Sequence, residues 1–332
     1  MKSSSACLFG DREHGVKRAF FEITNRCNMS CKHCMNNSGD NSQQDLPKEK
    51  IIKLFKELYN HQIMHLYISG GEPLLYNDID EVLQYAHTLG IKIILATNGL
   101  EITKHLTTIK RCVDTVSVSL DGIGETHDIF RGVPGSFDYL ISMLDILKNE
   151  GITTKMSTII WRKNLNQLTD IISIAKEKGI SKLNFNILVH EGRAKANPDI
   201  HIPSEEYPHL YEKVSELIEK YSDHSFEIDL KRRHQLNTNS IACPGGNSIF
   251  HINSKGRVSP CSWISKLDDN NEFSLMWENG NLGNCIEVCG NINAILDERK
   301  SLYGYSGCPA LANIHNGSYI SEDPLNEYLK FV

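Results

Sequence analysis

The segment "TNRCNMSCKHC" places Cys27, Cys31 and Cys34 within eight residues, directly after the apolar run "AFFEIT". Three thiolates on one loop can hold three irons of a 4Fe-4S cluster, whereas a structural zinc, or a cluster closed by protein alone, takes a fourth ligand. The count leaves one iron open to a ligand from outside the chain. A zinc knuckle completed by His33 or by a distant cysteine is the alternative on spacing alone. A second group of thiols, Cys243, Cys261, Cys285, Cys289 and Cys308, supplies five of the ten cysteines. In a chain with no export signal, grouped thiols point to metal or redox chemistry rather than disulfides. Cys112 reads as a small buried hydrophobe, and Cys7 has no assigned role.

The late group has its own local logic. In "CPGGNSIFHINSKGRVSPC" the runs "SIFHI" and "GRVSP" read as two short strands about the turn "NSKG", which brings Cys243 and Cys261 together. The fourteen histidines show no His-x-x-x-His pair lying on a helix. His251, Trp263 and Trp277 are candidates to border a substrate, with core packing or surface capping the more ordinary fate.

These residues need a scaffold, and the chain supplies a repeating one. The apolar runs "AFFEIT", "MHLYIS", "IKIILAT", "VDTVSVSL", "TKMSTII" and "KLNFNILV" alternate with amphipathic segments such as Lys48–Asn60 and Ser136–Asn149, giving six βα-type units. Continuous apolar strands between helices imply a parallel sheet covered on both faces. Six units are too few for a closed eight-stranded barrel, so the expectation is α/β: an incomplete (β/α)6 TIM-like barrel with the site on loops at the strand C-termini. A helix near 204–220 precedes a change of texture to short strands, Gly, Asn and cysteine. The expected division is a flexible lead-in at 1–16, the barrel at 17–222, and a small cysteine-rich α+β extension at 223–332.

A 332-residue chain that is 40% hydrophobic can bury a core of this size. Its 35 basic and 41 acidic residues are interspersed, leaving no basic stripe for nucleic acid or an anionic membrane. No segment approaches the roughly 20 apolar residues of a membrane span, and the N-terminal stretch has no apolar signal core, so a cytoplasmic location is expected.

The loop Cys27-x3-Cys31-x2-Cys34 at the end of the first strand, with the ring residue His33 before the last cysteine, resembles the signature of the radical S-adenosylmethionine (SAM) superfamily. Three further strand ends match that family's pattern: "SGGEP" at Ser69–Pro73, "TNG" at Thr97–Gly99, and "SLDG" ending near Asp121. The resemblance implies that a 4Fe-4S cluster on the three cysteines binds SAM through its open iron. It further implies that Gly70, Gly71 and Glu72 serve the SAM amino group, that Thr97 and Asn98 lie beside the cofactor, and that Ser119 contacts the carboxylate or ribose. Arg131 is a candidate partner of the SAM carboxylate, and Glu191 and Arg193 lie at the expected barrel mouth.

The tail resembles the SPASM and Twitch extensions of that superfamily, which implies one auxiliary 4Fe-4S cluster. Its expected ligands are Cys243, Cys261, Cys308 and Cys289, which leaves Cys285 as a spare thiol and candidate hydrogen donor. A structural zinc at these four cysteines is the competing reading. The implied activity is reductive SAM cleavage to a 5'-deoxyadenosyl radical that abstracts a substrate hydrogen. Modification of a ribosomally made peptide by oxidation, crosslinking or epimerisation is placed first, and a small sugar-like or cofactor-precursor substrate second. A zinc-bearing binding protein without catalysis is the alternative of another class. The implied partners are the substrate, a reducing donor such as a flavodoxin or ferredoxin, and a separate peptide-recognition protein, since some 18 residues before the first strand are too few to build one.

Overall fold

A computed structural model describes residues 17–39, 45–230, 243–267, 272–304 and 307–322. The expected lead-in at 1–16, with Cys7, lies outside the described residues.

The strands and helices alternate as their periodicity requires. β1 (Arg18–Thr24) precedes the cysteine loop and α1 (Lys48–Asn60); β2 (His65–Gly70), α2 (Ile79–Thr88), β3 (Lys92–Thr97), α3 (Ile102–Cys112) and β4 (Thr115–Ser119) follow. After β4 the chain makes a short helix, α4 (Glu125–Arg131), before α5 (Ser136–Asn149). β5 (Thr154–Ile160), α6 (Leu168–Glu177), β6 (Lys182–Ile187), α7 (Tyr207–Tyr221) and β7 (Glu227–Leu230) complete this part. The rest contains β8 (Ile249–Ile252), β9 (Arg257–Ser259), α8 (Ile264–Leu267), β10 (Leu275–Met276), α9 (Leu282–Gly290), α10 (Ile292–Tyr303) and α11 (Pro309–Asn316).

Among the described residues, ten strands form one open sheet in the order β10-β9-β8-β1-β2-β3-β4-β5-β6-β7. Pairing is parallel from β8 through β1 to β7, and antiparallel at β8–β9 and β9–β10. The parallel strands exceed the six expected: β7 follows α7, and β8 from the cysteine-rich part adds to the free side of β1. Phe20 of β1 lies opposite His251 of β8, so the two regions share a sheet rather than meeting side by side.

The core forms where the helices cover the strands. Ile51, Leu54, Phe55 and Leu58 are the buried stripe of α1, and Phe55 meets Phe21 of β1 edge to face at 5.9 Å. Each such side chain contributes about 1.5–3 kcal/mol through burial. A smaller cluster in the extension gathers Ile264, Phe273, Ile292, Leu296 and Ala310, with Cys243, Cys261 and Cys308 packed against it. Among the described residues, no helix is long and apolar enough to cross a membrane.

Candidate active site

The parallel strands bring their C-terminal loops to one end of the sheet, where a cavity of about 320 Å³ opens. Its walls include Cys27, Cys31 and Cys34 from the loop after β1, Gly70 and Gly71 from the end of β2, Thr97 and Asn98 after β3, and Ser119 at the end of β4. Four motifs distant in sequence therefore converge on one space. Arg131, Arg193 and His251 also face it.

The cysteine loop is held by backbone contacts rather than by regular structure. Cys27 N donates to Gly39 O at 3.0 Å, and Cys34 N to Cys31 O at 3.2 Å. From outside the loop, Lys32 N donates to Phe130 O (2.9 Å) and Arg193 N to Cys34 O (2.9 Å). The Arg193 side chain adds bonds from Nε to Cys31 O at 2.7 Å and from Nη1 to Ser38 O at 2.6 Å. Arg193 thus clamps the loop from the segment after β6. Glu191 pairs with Lys195 at 2.8 Å.

The glycines of "SGGEP" are required by close approach of backbone to backbone. A Cβ on Gly70 would stand 2.2 Å from Thr24 O, and one on Gly71 2.1 Å from Arg26 O. That crowding lets Gly71 N donate to Thr24 O and Glu72 N to Arg26 O, both at 2.8 Å. Glu72 is fully buried, and its carboxylate accepts from Thr97 Oγ1 (2.8 Å), Asn98 N (2.7 Å) and Leu74 N (3.1 Å). It ties "SGGEP" to "TNG". Burial raises its carboxyl to about 7, against the lowering effect of those bonds.

Polar atoms left without partners mark where a ligand fits. Among the described residues, His33 Nδ1, Asn36 Oδ1, Arg131 Nε, Arg193 Nη2 and His251 Nδ1 are buried with no hydrogen-bond partner. All five side chains line the cavity, and a buried polar atom left unpaired is costly. Burial, followed by Arg131 and Arg193, keeps His33 far below the usual imidazole range, so its ring is neutral; it stacks on Phe130 at 4.4 Å. Burial pushes the Cys27 thiol up to about 11, with Cys31, Glu72 and Cys34 also opposing its ionisation. Three crowded thiols ionise together only around positive charge, so this donor set fits an iron-sulfur cluster, with polar wall atoms remaining for a second ligand.

Glu22 was not singled out in the sequence, although a carboxylate inside an apolar strand is itself a signal. It lines the cavity, accepts from Asn36 Nδ2 (2.9 Å), pairs with Lys266 Nζ (3.0 Å) and lies 3.1 Å from His251 Nε2. Burial alone raises its carboxyl, but His251 and Lys266 together overcome that and bring it to about 2. Phe130 and Trp161, stacked at 4.4 Å behind His33, were also not foreseen.

The extension brings its cysteines together in part. Gly245 lies between Cys243 and Pro260: a Cβ there would be 3.5 Å from Cys243 Sγ and 3.2 Å from Pro260 O. Gly246 packs on Cys289 O, and the raised Cys289 thiol owes its shift to burial, then to Cys285 and Cys261. Cys285 lies in α9 with its thiol 3.9 Å from Met276 O and 3.6 Å from Asn281 Oδ1, fully buried and outside the cavity lining. Trp277 is buried and donates to Glu57 Oε2 at 3.2 Å, and Trp263 packs against the extension cluster.

Known proteins resemble the chain at several levels. AdoMet-dependent heme synthase of Methanosarcina barkeri is 28% identical over 92% of this chain and 94% of its own length. Mycofactocin maturase MftC of Mycolicibacterium smegmatis is 34% identical over 58% of this chain and 50% of its own. Streptococcus suis SuiB bound to S-adenosylmethionine shares the fold with a TM-score of 0.73 at 16% identity, over 93% of this chain and 77% of that one. SuiB bound to precursor peptide SuiA gives 0.66 at 16% identity, over 82% and 64%. Residues 21–173, which carry the three-cysteine loop and the motifs that meet it at the cavity, match the Radical SAM superfamily model, and this part of the chain is a radical SAM domain.

Proposed function

We propose that this radical SAM enzyme takes a hydrogen atom from one residue of a ribosomally made peptide. The observation that carries the reading is the convergence of Cys27, Cys31 and Cys34 with Gly70, Gly71, Thr97, Asn98 and Ser119 on one cavity. When bound there, a reduced 4Fe-4S cluster and SAM supply the 5'-deoxyadenosyl radical that abstracts the hydrogen. The chain's own residues hold and orient. The three thiolates carry the cluster, and Arg193 fixes the loop. Glu72 locks the two glycine-containing turns together, so that Gly70, Gly71, Thr97, Asn98 and Ser119 would line the space for SAM beside the cysteine loop.

The similarity to a maturase, and to a fold that receives a precursor peptide in SuiB, supports the same reading. Cys243, Cys261, Cys289 and Cys308 are the proposed ligands of an auxiliary cluster; Cys285, the expected hydrogen donor, is instead fully buried in α9 away from the cavity lining, where it cannot reach a substrate radical. A low-potential flavodoxin or ferredoxin as reductant and a separate peptide-recognition protein complete the proposal.

A second reading is favoured by the near full-length similarity to AdoMet-dependent heme synthase: a tetrapyrrole whose carboxylate arm alone enters the cavity. The test is deuterium transfer into 5'-deoxyadenosine from labelled substrates of each kind. Transfer from a labelled precursor peptide supports the first reading, and transfer from a labelled tetrapyrrole alone replaces it. Cys31→Ala should lose one cluster's iron and sulfide and produce no 5'-deoxyadenosine. Production at the wild-type rate would remove Cys31 from the site.

A further inference from the structure

The run "HDIFRGVPGSF" builds a handle on the cysteine loop, residue by residue. Asp128 accepts from Gly135 N (2.6 Å), Ser136 Oγ (2.9 Å) and Phe137 N (2.8 Å), which starts α5 and fixes the turn behind α4. Gly132 ends α4 with a left-handed φ of 74°, and Ser30 Oγ donates to its carbonyl at 3.4 Å. With Lys32 N bonded to Phe130 O, the last turn of α4 is docked on the loop on both sides of Cys31.

That docking delivers one charged group to one ligand sulfur. Arg131 Nη1 donates to Cys31 Sγ at 3.8 Å, and Nη2 is ion-paired with Asp121. Each of its terminal nitrogens thus has a partner within the chain, and Nε faces the cavity without one. Asp121 is fully buried and over-determined. Its carboxylate accepts from Ile159 N at 2.6 Å, its carbonyl from Trp161 Nε1 (2.8 Å) and Asn164 Nδ2 (3.0 Å), and its amide donates to His127 Nδ1 at 3.1 Å. His127 can accept that bond because burial, then Arg131, lowers it to about 3 and keeps its ring neutral. Burial raises the Asp121 carboxyl and disfavours the Arg131 charge, but the pairing with Asp121 and then Cys31 holds Arg131 above its ordinary value.

We propose that Arg131, anchored by Asp121, is a positioning residue that sets the reduction potential of the cluster on Cys27, Cys31 and Cys34. The inference rests on the reading of those three cysteines as cluster ligands. Taking up one electron makes the cluster more negative by one charge. A guanidinium bonded to a ligand sulfur, in a site shielded from water, stabilises that reduced form more than the oxidised one. Asp121 does the reverse at longer range, so the pair holds the potential between the values either charge alone would give.

The opposed signs make the test. The reconstituted holoenzyme is titrated with titanium(III) citrate, which supplies the electron, and followed by electron paramagnetic resonance. The relevant signal is the one that changes on adding SAM. Arg131→Gln should lower the reduced-to-oxidised ratio at a fixed potential at least tenfold, a shift of about 59 mV for one electron. Asp121→Asn should raise it, and the double variant should fall between. A packing role would not move the two single variants in opposite directions. Unchanged potentials, or shifts of the same sign, overturn the proposal. If Arg131→Gln does not take up the cluster, Asp121→Asn alone decides: a rise supports the proposal, and no change or a fall overturns it. A wild-type protein with no SAM-responsive signal removes the reading of the three cysteines as well, whereas a responsive signal with unmoved potentials removes this inference alone.

Discussion

Glu72 shows how a motif residue can be legible in the sequence while its task is not. "SGGEP" and "TNG" are visible as strand-end motifs, but the hydrogen bonds from Thr97 and Asn98 that, with a local one from Leu74, occupy the Glu72 carboxylate arise only when β2 and β3 lie side by side. The native carboxyl titrates near 7 rather than 4.5, so the native state binds a proton that the unfolded state has released. The contribution is most favourable below the unfolded value, declines as pH rises from about 4.5 to about 7, and is constant above. The total decline is about 3 kcal/mol. Glu72→Gln should remove this slope, as read by chemical denaturation from pH 4 to pH 8; an unchanged slope would place the proton elsewhere. Cys27, Cys31 and Cys34 are the opposite case, because their chemistry is local and their spacing already states it.

At the scale of elements, the join between β1 and β8 is the part the sequence hid. β8, β9 and β10 have four, three and two residues, too short for periodicity to say which strand they pair with. Glu22 of β1 meets His251 of β8 and Lys266 of α8 across that join, and its titration near 2 stabilises the native state. That contribution is present above the unfolded value of about 4.5 and is lost as pH falls toward about 2. Glu22→Gln should cost about 3 kcal/mol at pH 7 and progressively less in acid. An equal deficit at pH 3 and pH 7 would mean packing, not charge, joins the elements. On the far side of α1, Glu57 accepts from Gly280 N (2.7 Å), Leu282 N (3.1 Å) and Trp277 Nε1 (3.2 Å), fastening the start of α9. Glu57→Ala should lower stability by about 2 kcal/mol and, in hydrogen exchange, expose the amides of α9 before those of β1–β4.

For the whole molecule, the shared sheet means that the cavity and the extension are not independent bodies. His251 belongs to the strand that continues β1, and Lys266 follows Cys261 by five residues, so the extension supplies part of the cavity's wall and its charge. Replacing Cys289 by Ala should lower the iron and sulfide of the holoenzyme by one cluster while leaving a SAM-responsive resonance from the other. Unchanged iron content would assign the fourth auxiliary ligand elsewhere, with Cys285 the nearest alternative thiol in α9. The substrate's inserted group should contact residues of both regions, so crosslinking of a bound photoreactive substrate should label β1 and β8 peptides together.

What the sequence alone determined is the chemistry that depends on spacing: three thiols on one loop, the glycines of a close turn, and six strand-helix units that send those motifs to one end of a sheet. Alternation, helical period and motif spacing are local properties, written in a few residues at a time. Tertiary structure decided which side chains face one another: Arg131 toward Cys31, Glu72 into a turn, Glu22 between His251 and Lys266, and Cys285 into the core. Those outcomes depend on strand order and on burial, where a charge finds a partner or goes unsatisfied, and neither is set until segments hundreds of residues apart share a sheet.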